Sequence, residues 1–148
     1  MNFKDKLQKA ISQNNSLLCV GLDPDPQNLK GSKDQFDFNK KIIDQTANLV
    51  CCYKLQIAFY AANGAEGVKD LKKTIDHIKE NYPYLPVILD AKRAYIASTS
   101  EMYAKEVFDF FGADAVTVNP YLGFDSLKPF FEREDKGIIV LCKTSNPS

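Results

Sequence analysis

Apolar positions along the chain switch repeatedly between two patterns. In residues 3–13, Phe3, Leu7, Ala10 and Ile11 recur at the spacing that gives a helix one apolar face. The run LLCVGL, 17–22, then ends in DPDP, and an unbroken apolar run bounded by prolines reads as a strand buried on both faces. Between 36 and 50, Phe38, Ile42, Ile43 and Leu49 return to a period near 3.6, with Asp37 placed as a cap. VCCYKLQI, 50–57, is a second strand, and Val68, Leu71, Ile75 and Ile78 mark the stripe of the helix that follows. PVILDA, 86–91, is the third strand, opening on Pro86 where a missing N–H is tolerated. A helix over about 98–111 carries Tyr103, Val107 and Phe110 and meets Gly112, a residue type suited to closing a helix. DAVTVNP, 114–120, DSLKPFFERE, 125–134, and GIIVLCKTS, 137–145, read as strand, short helix and strand.

Strands alternating with helices in units of about 30 residues predict an α/β fold built from right-handed parallel βαβ units. No low-complexity linker or composition shift divides the 148 residues, so 1–148 reads as a single domain. Two architectures fit this alternation. One is a barrel wall; the other is a flavodoxin-like binding module with strand order 2-1-3-4-5, which 148 residues would complete. Against the second, no glycine-rich phosphate loop follows the first strand. Chemistry in parallel α/β sheets sits at the C-terminal strand ends. There the chain carries Asp23, Lys54, Asp90 with Lys92, Asn119, and Lys143-Thr144-Ser145.

Composition narrows the function. The 19 Lys and Arg balance 19 Asp and Glu, so no net field attracts nucleic acid or an anionic membrane surface. No stretch approaches the ~20 apolar residues of a membrane span. The N-terminus is polar and amphipathic and has no apolar signal run, which points to a cytoplasmic protein. Cys19, Cys51, Cys52 and Cys142 lie in apolar runs without Cys-x-x-Cys spacing and read as buried reduced thiols. The single histidine, His77, falls on the polar side of its helix and reads as solvated. That leaves no histidine for a Ser-His-Asp or metal-hydrolase scheme, and no metal site is expected.

The most informative segment is LDAKR, 89–93. Asp90 and Lys92 are two residues apart, so on an extended strand they share a face. Lys54 lies inside an apolar run and must carry its ammonium to a polar place, because an unpaired buried charge is very costly. A Lys-Asp-Lys array across neighbouring strands serves equally as a salt-bridge ladder in a barrel mouth or as a site for an anionic substrate. Spacing alone does not choose between them or name a reaction.

Five segments in order, LLCVGLDPDP, YKLQIAFYAANGAEG, VILDAKRAYIASTS, AVTVNPYLG and VLCKTSNP, resemble the successive strand ends of the orotidine 5'-phosphate decarboxylase family, in its bacterial branch. The resemblance covers nearly the whole chain. It implies a TIM (β/α)8-barrel fold of which about five βα units are present. It also implies cofactor-independent decarboxylation of orotidine 5'-monophosphate to UMP in pyrimidine biosynthesis, by a cytoplasmic homodimer whose sites are shared across the interface. The implied partner is a small-molecule nucleotide, with no metal or organic cofactor. Carried over by position, Lys92 is the catalytic ammonium, Asp90 faces the substrate carboxylate, and Lys54 lies between Asp90 and a ribose hydroxyl held by Asp23. Thr99 matches the threonine that reaches the partner subunit's ribose, and Ser145 the serine that contacts the pyrimidine.

Two positions depart from the family pattern. In D-x-K-x-x-D the last Asp is Tyr95 here, a phenol that stays neutral at pH 7 and supplies no second carboxylate. Ala97 stands where the family usually has Gly, and would be strained if the backbone there needed positive φ. Both point to weakened activity. A complete barrel takes ~250 residues, at least ~200, so the chain is expected to be part of a longer reading frame or to associate through open sheet edges. The family's phosphate-binding residues lie after strands six to eight, outside 1–148. Other readings are a non-catalytic nucleotide-binding relative, or a phosphosugar enzyme such as a hexulose-phosphate synthase. A pentose-phosphate epimerase is disfavoured, because a chain with one His lacks its metal-binding histidines.

Overall fold

The computed structural model describes residues 1–147. Its centre is a five-stranded parallel sheet of β1 (Cys19–Gly21), β2 (Cys52–Gln56), β3 (Val87–Arg93), β4 (Ala115–Val118) and β5 (Gly137–Val140), ordered β1-β2-β3-β4-β5. Each strand lies beside its predecessor, as in a barrel wall. The 2-1-3-4-5 alternative is overturned, because it needs β1 between β2 and β3, whereas β1 is an edge strand.

Among the described residues six α-helices connect and flank these strands: α1 (Phe3–Asn14), α2 (Gln35–Thr46), α3 (Ile57–Ala61), α4 (Gly64–Asn81), α5 (Ala97–Ala104) and α6 (Lys128–Phe131). The cap of α2 is Asp34, whose carboxylate accepts the Asp37 N–H at 2.7 Å; Asp37 instead reaches back to the Lys33 N–H at 3.1 Å. The expected cap at Asp37 is therefore displaced by three residues, since both aspartates bond backbone N–H groups at this end. The second strand stops at Gln56 because its side chain accepts the Ala58 N–H at 3.1 Å and starts α3, a helix absent from the sequence reading. α5 continues as a wider π-helical turn over Lys105–Phe111, which Gly112 closes at φ 76°. The helix expected over 125–134 shrinks to α6 and a preceding 3-10 turn, Phe124–Ser126, since Pro129 fits only in a first helical turn. The last strand ends at Val140, leaving 141–147 outside it.

Period-2 alternation divides β2 between two environments. Tyr53 and Leu55 are fully buried under the helices, whereas Lys54 and Gln56 face the other side. Leu89, Val116 and Val118 continue the helix-facing layer and pack with Ile43, Tyr60, Leu71, Ile75, Ile78 and Val107. Each such side chain removed from water contributes about 1.5–3 kcal/mol.

α1 closes the N-terminal end of the sheet. Lys6 Nζ lies 2.9 Å from the Asp114 carboxylate, which also accepts the Val87 N–H at 2.8 Å. The Phe3 ring occupies the space over Gly137, where a Cβ would come within 2.4 Å of it. Two expectations about side chains change. Cys51 and Cys52 are buried, but Cys19 on the edge strand and Cys142 beyond β5 are exposed. His77 is largely covered, with 12% side-chain exposure: it lies 2.8 Å from Asp44 Oδ1, between the rings of Phe36 and Tyr82. Among the described residues no helix is long and apolar enough to cross a membrane.

Candidate functional site

Four charged side chains alternate in sign across the C-terminal ends of β1, β2 and β3. Asp23, just after β1, accepts the Gln56 N–H on Oδ1 at 2.7 Å and the Lys54 ammonium on Oδ2 at 3.1 Å. Lys54 Nζ also lies 3.8 Å from Asp90 Oδ2. Asp90 Oδ1 then accepts Lys92 Nζ at 2.7 Å and Thr117 Oγ1 at 2.7 Å, while Oδ2 accepts Gln56 Nε2 at 3.2 Å. The placement follows from register: Gln56 is the direct partner of Asp90, and Lys54 stands two residues below on the same face.

Exposure is uneven along the array. Asp90 retains 13% side-chain exposure, Asp23 29%, Lys54 32% and Lys92 46%. The carboxylate is thus enclosed, and the Lys92 ammonium is the member open to an incoming molecule. Burial alone pushes the Asp90 carboxyl up. Hydrogen bonds from Lys92 and Thr117, with the charges of Lys92 and Lys54, outweigh it and hold the group below the ordinary carboxylate range.

Lys92 meets Asp90 by a route that an extended strand does not provide. Leu89 pairs with Val116 and Arg93 with Val118, so residues 90–92 face the single residue Thr117 in a bulge. Lys92 takes up the extra length at φ 48°, a left-handed conformation costing about 1–2 kcal/mol for a residue with a Cβ. Beyond it, Arg93 turns outward to Glu106 at 3.0 Å and stacks over Tyr103.

Asp23, Lys54, Asp90 and Lys92 come together, whereas Thr99 and Ser145 stand apart. Thr99 is half-buried in the first turn of α5, and Ser145 is exposed past the end of β5. Neither side chain hydrogen-bonds to the array among the described residues. Tyr95 is 52% exposed, and its backbone N–H and C=O are both held by Ser100 Oγ, at 2.9 and 3.0 Å. Ala97 opens α5 without positive φ, so the strain considered for it is absent. Two site residues escaped the sequence reading, Gln56 and Thr117. Each is a polar residue in an apolar run, the signal that had marked Lys54. Among the described residues no three His, Cys, Asp or Glu converge in a way that could hold a metal.

A consecutive parallel sheet with alternating charge at its C-terminal edge defines a protein of the TIM-barrel class, represented among the described residues by five strands and the helices between them. The chain belongs to the orotidine 5'-phosphate decarboxylase / HUMPS family, whose model matches residues 16–148. It is 56% identical over 152 residues to the orotidine 5'-phosphate decarboxylase of Dechloromonas aromatica, covering 99% of this chain and 56% of that protein. To the Ralstonia pickettii protein of the same name it is 54% identical over 151 residues, with 99% and 55% coverage. Among solved structures, a putative orotidine-monophosphate decarboxylase from Toxoplasma gondii matches with TM-score 0.92 and 41% identity, over 99% of this chain and 50% of that one. The Leishmania donovani OMP decarboxylase matches with TM-score 0.88 and 39% identity, over 99% and 56%. The chain thus spans about half the length of the curated relatives it matches.

Proposed function

We propose that the protein acts in pyrimidine biosynthesis, converting orotidine 5'-monophosphate and a proton to UMP and carbon dioxide without a cofactor. The observation that carries this reading is the Asp23–Lys54–Asp90–Lys92 array, with its most exposed cation at the end. When the bond from C6 of the pyrimidine to the carboxylate breaks, the electron pair stays on C6. The Lys92 ammonium, already held by Asp90, stabilises that charge and transfers its proton to the carbon. Lys54, between two carboxylates, adds its charge to the Lys92 and Thr117 hydrogen bonds that keep the enclosed Asp90 ionised, and Asp23 offers its remaining acceptor capacity to a ribose hydroxyl. Thr99 and Ser145 stand away from the array, so in this reading Thr99 serves a neighbouring subunit of a cytoplasmic homodimer and Ser145 approaches only a bound pyrimidine.

The test measures UMP formation by the chain itself and by a chimera extended with the downstream portion of the Dechloromonas aromatica relative. Activity that disappears in Lys92→Ala supports the reading; UMP formation that survives this change overturns it. A second reading, a nucleotide-binding relative without turnover, is favoured by one observation, the exposed phenol of Tyr95 in place of a carboxylate. Calorimetric binding of UMP to a chimera that forms no UMP selects that reading.

A further inference from the structure

We infer that Thr117 is a positioning residue, whose single hydroxyl fixes the left-handed bend at Lys92 and the orientation of Asp90 together. Its part in turnover rests on the decarboxylase reading; its part in geometry does not.

The bulge in β3 sets three residues against Thr117, which takes the Lys92 N–H out of the regular ladder. A backbone donor without a partner in a half-buried strand end is costly. Thr117 Oγ1 supplies the partner, accepting the Lys92 N–H at 3.0 Å. The same oxygen donates to Asp90 Oδ1 at 2.7 Å.

The direction of both bonds is fixed. An N–H only donates and an ionised carboxylate only accepts, so the hydroxyl proton must point at Asp90. Thr117 is 9% exposed, which limits replacement of the hydroxyl by water. Its β-branched side chain is stiff about χ1, and its backbone is anchored by the fully buried Val116 and Val118 on the opposite face. One rigid group therefore holds the backbone of the residue that carries the ammonium and the carboxylate that receives it. If the bend relaxed toward an extended strand, the direction from which Lys92 Nζ approaches Asp90, now at 2.7 Å, would change.

Nuclear magnetic resonance tests this on the chain, without reference to activity. In the wild type the Lys92 amide is expected to exchange slowly with solvent. Thr117→Val keeps the side-chain shape but removes both hydrogen bonds; it should speed Lys92 exchange and move the Asp90 carboxyl titration to higher pH. Thr117→Ser restores the hydroxyl and should return both readouts toward the wild type, a rescue that loss of packing alone would not produce. Unchanged Lys92 exchange and Asp90 titration in Thr117→Val overturn the inference. If Thr117→Val fails to fold, the wild type still decides: a Lys92 amide exchanging as fast as an open-loop amide overturns it.

In a chimera that forms UMP, Thr117→Val should lower kcat on the order of a hundredfold with little change in KM, the cost of a displaced catalytic group. A normal kcat alongside altered Lys92 exchange overturns the role in turnover and leaves the geometric one. If Lys92→Ala itself leaves UMP formation intact, the decarboxylase reading fails, and the two resonance readouts still judge the geometry.

Discussion

Lys92 turns back on Asp90. Its ammonium lies 2.7 Å from the carboxylate of the residue two places earlier, from a backbone at φ 48°. Two residues along an extended strand are separated by about 6.6 Å, a gap a lysine stem can span, so the bend sets the direction from which the ammonium approaches. The conformational cost, about 1–2 kcal/mol, is offset by charge-assisted hydrogen bonds worth about 1.5–3 kcal/mol each. The cation and anion are consequently arranged before any substrate arrives.

Asp90 should couple stability to pH. Its folded carboxyl lies below the ordinary range, so the stability it contributes is complete above about pH 5, where the unfolded carboxyl is ionised. That contribution is lost as pH falls through the lower folded value. Urea midpoints measured from pH 7 down to acid should fall less steeply in Asp90→Asn than in the wild type; parallel curves would contradict the linkage.

Tyr95 is positioned to be exchanged without damage to the fold. Among the described residues only its backbone is tied, to Ser100, and the phenol is 52% exposed. Tyr95→Asp should alter stability by no more than about 0.5 kcal/mol, as for most surface changes, and should raise UMP formation in the extended chimera. A preserved fold with no rise in UMP formation would show that Tyr95 does not limit turnover.

Gly67 is required by a close approach. A Cβ there would stand 2.0 Å from the Tyr60 carbonyl oxygen and 2.9 Å from Asn63 Cβ, where α3 meets α4. Alanine gains about 1 kcal/mol of helix propensity, but overpacking against backbone costs about 1–3 kcal/mol or more. Gly67→Ala should therefore lower the denaturant midpoint; a higher one would show that α3 moves aside freely.

The outer sides of β1 and β5 are unpaired among the described residues, and Ile139 and Val140 are 38% and 40% exposed. Open apolar edges favour strand-to-strand association. Light scattering of the 148-residue chain should show a mass that rises with concentration, and Val140→Lys should reduce the rise. A constant monomer mass would show that the edges are inert.

The strands were legible because each is an apolar run, although the expected burial of 17–22 on both faces fails at the sheet edge, where β1 is largely exposed; Lys54, Asp90 and Lys92 were legible because charges interrupt those runs. α3 was not legible: it starts from a side-chain cap by Gln56, inside what reads as a continuing strand. The bulge at 90–92 left no mark either, because no glycine announces its left-handed residue. Thr117 passed as an ordinary strand residue, since a threonine in VTV satisfies β-propensity whether or not its hydroxyl has a task. Cys19 and Cys142 were read as buried from local apolarity, but exposure depends on which strand lies at an edge.

The closure of the sheet by α1 has a kinetic consequence. Lys6 and Asp114 are 108 residues apart, and Phe3 sits over Gly137 in the last strand. During synthesis these contacts of α1 must therefore wait until β4 and β5 have emerged, whereas Asn14 at its far end meets Ala47 and Val50 much earlier. Contacts of such long range slow folding, because the loop entropy is spent before the contact forms. During that interval the N-terminal ends of the strands lack the cover of Phe3 and Lys6, so the start of α1 settles on the sheet only after β4 and β5 have formed.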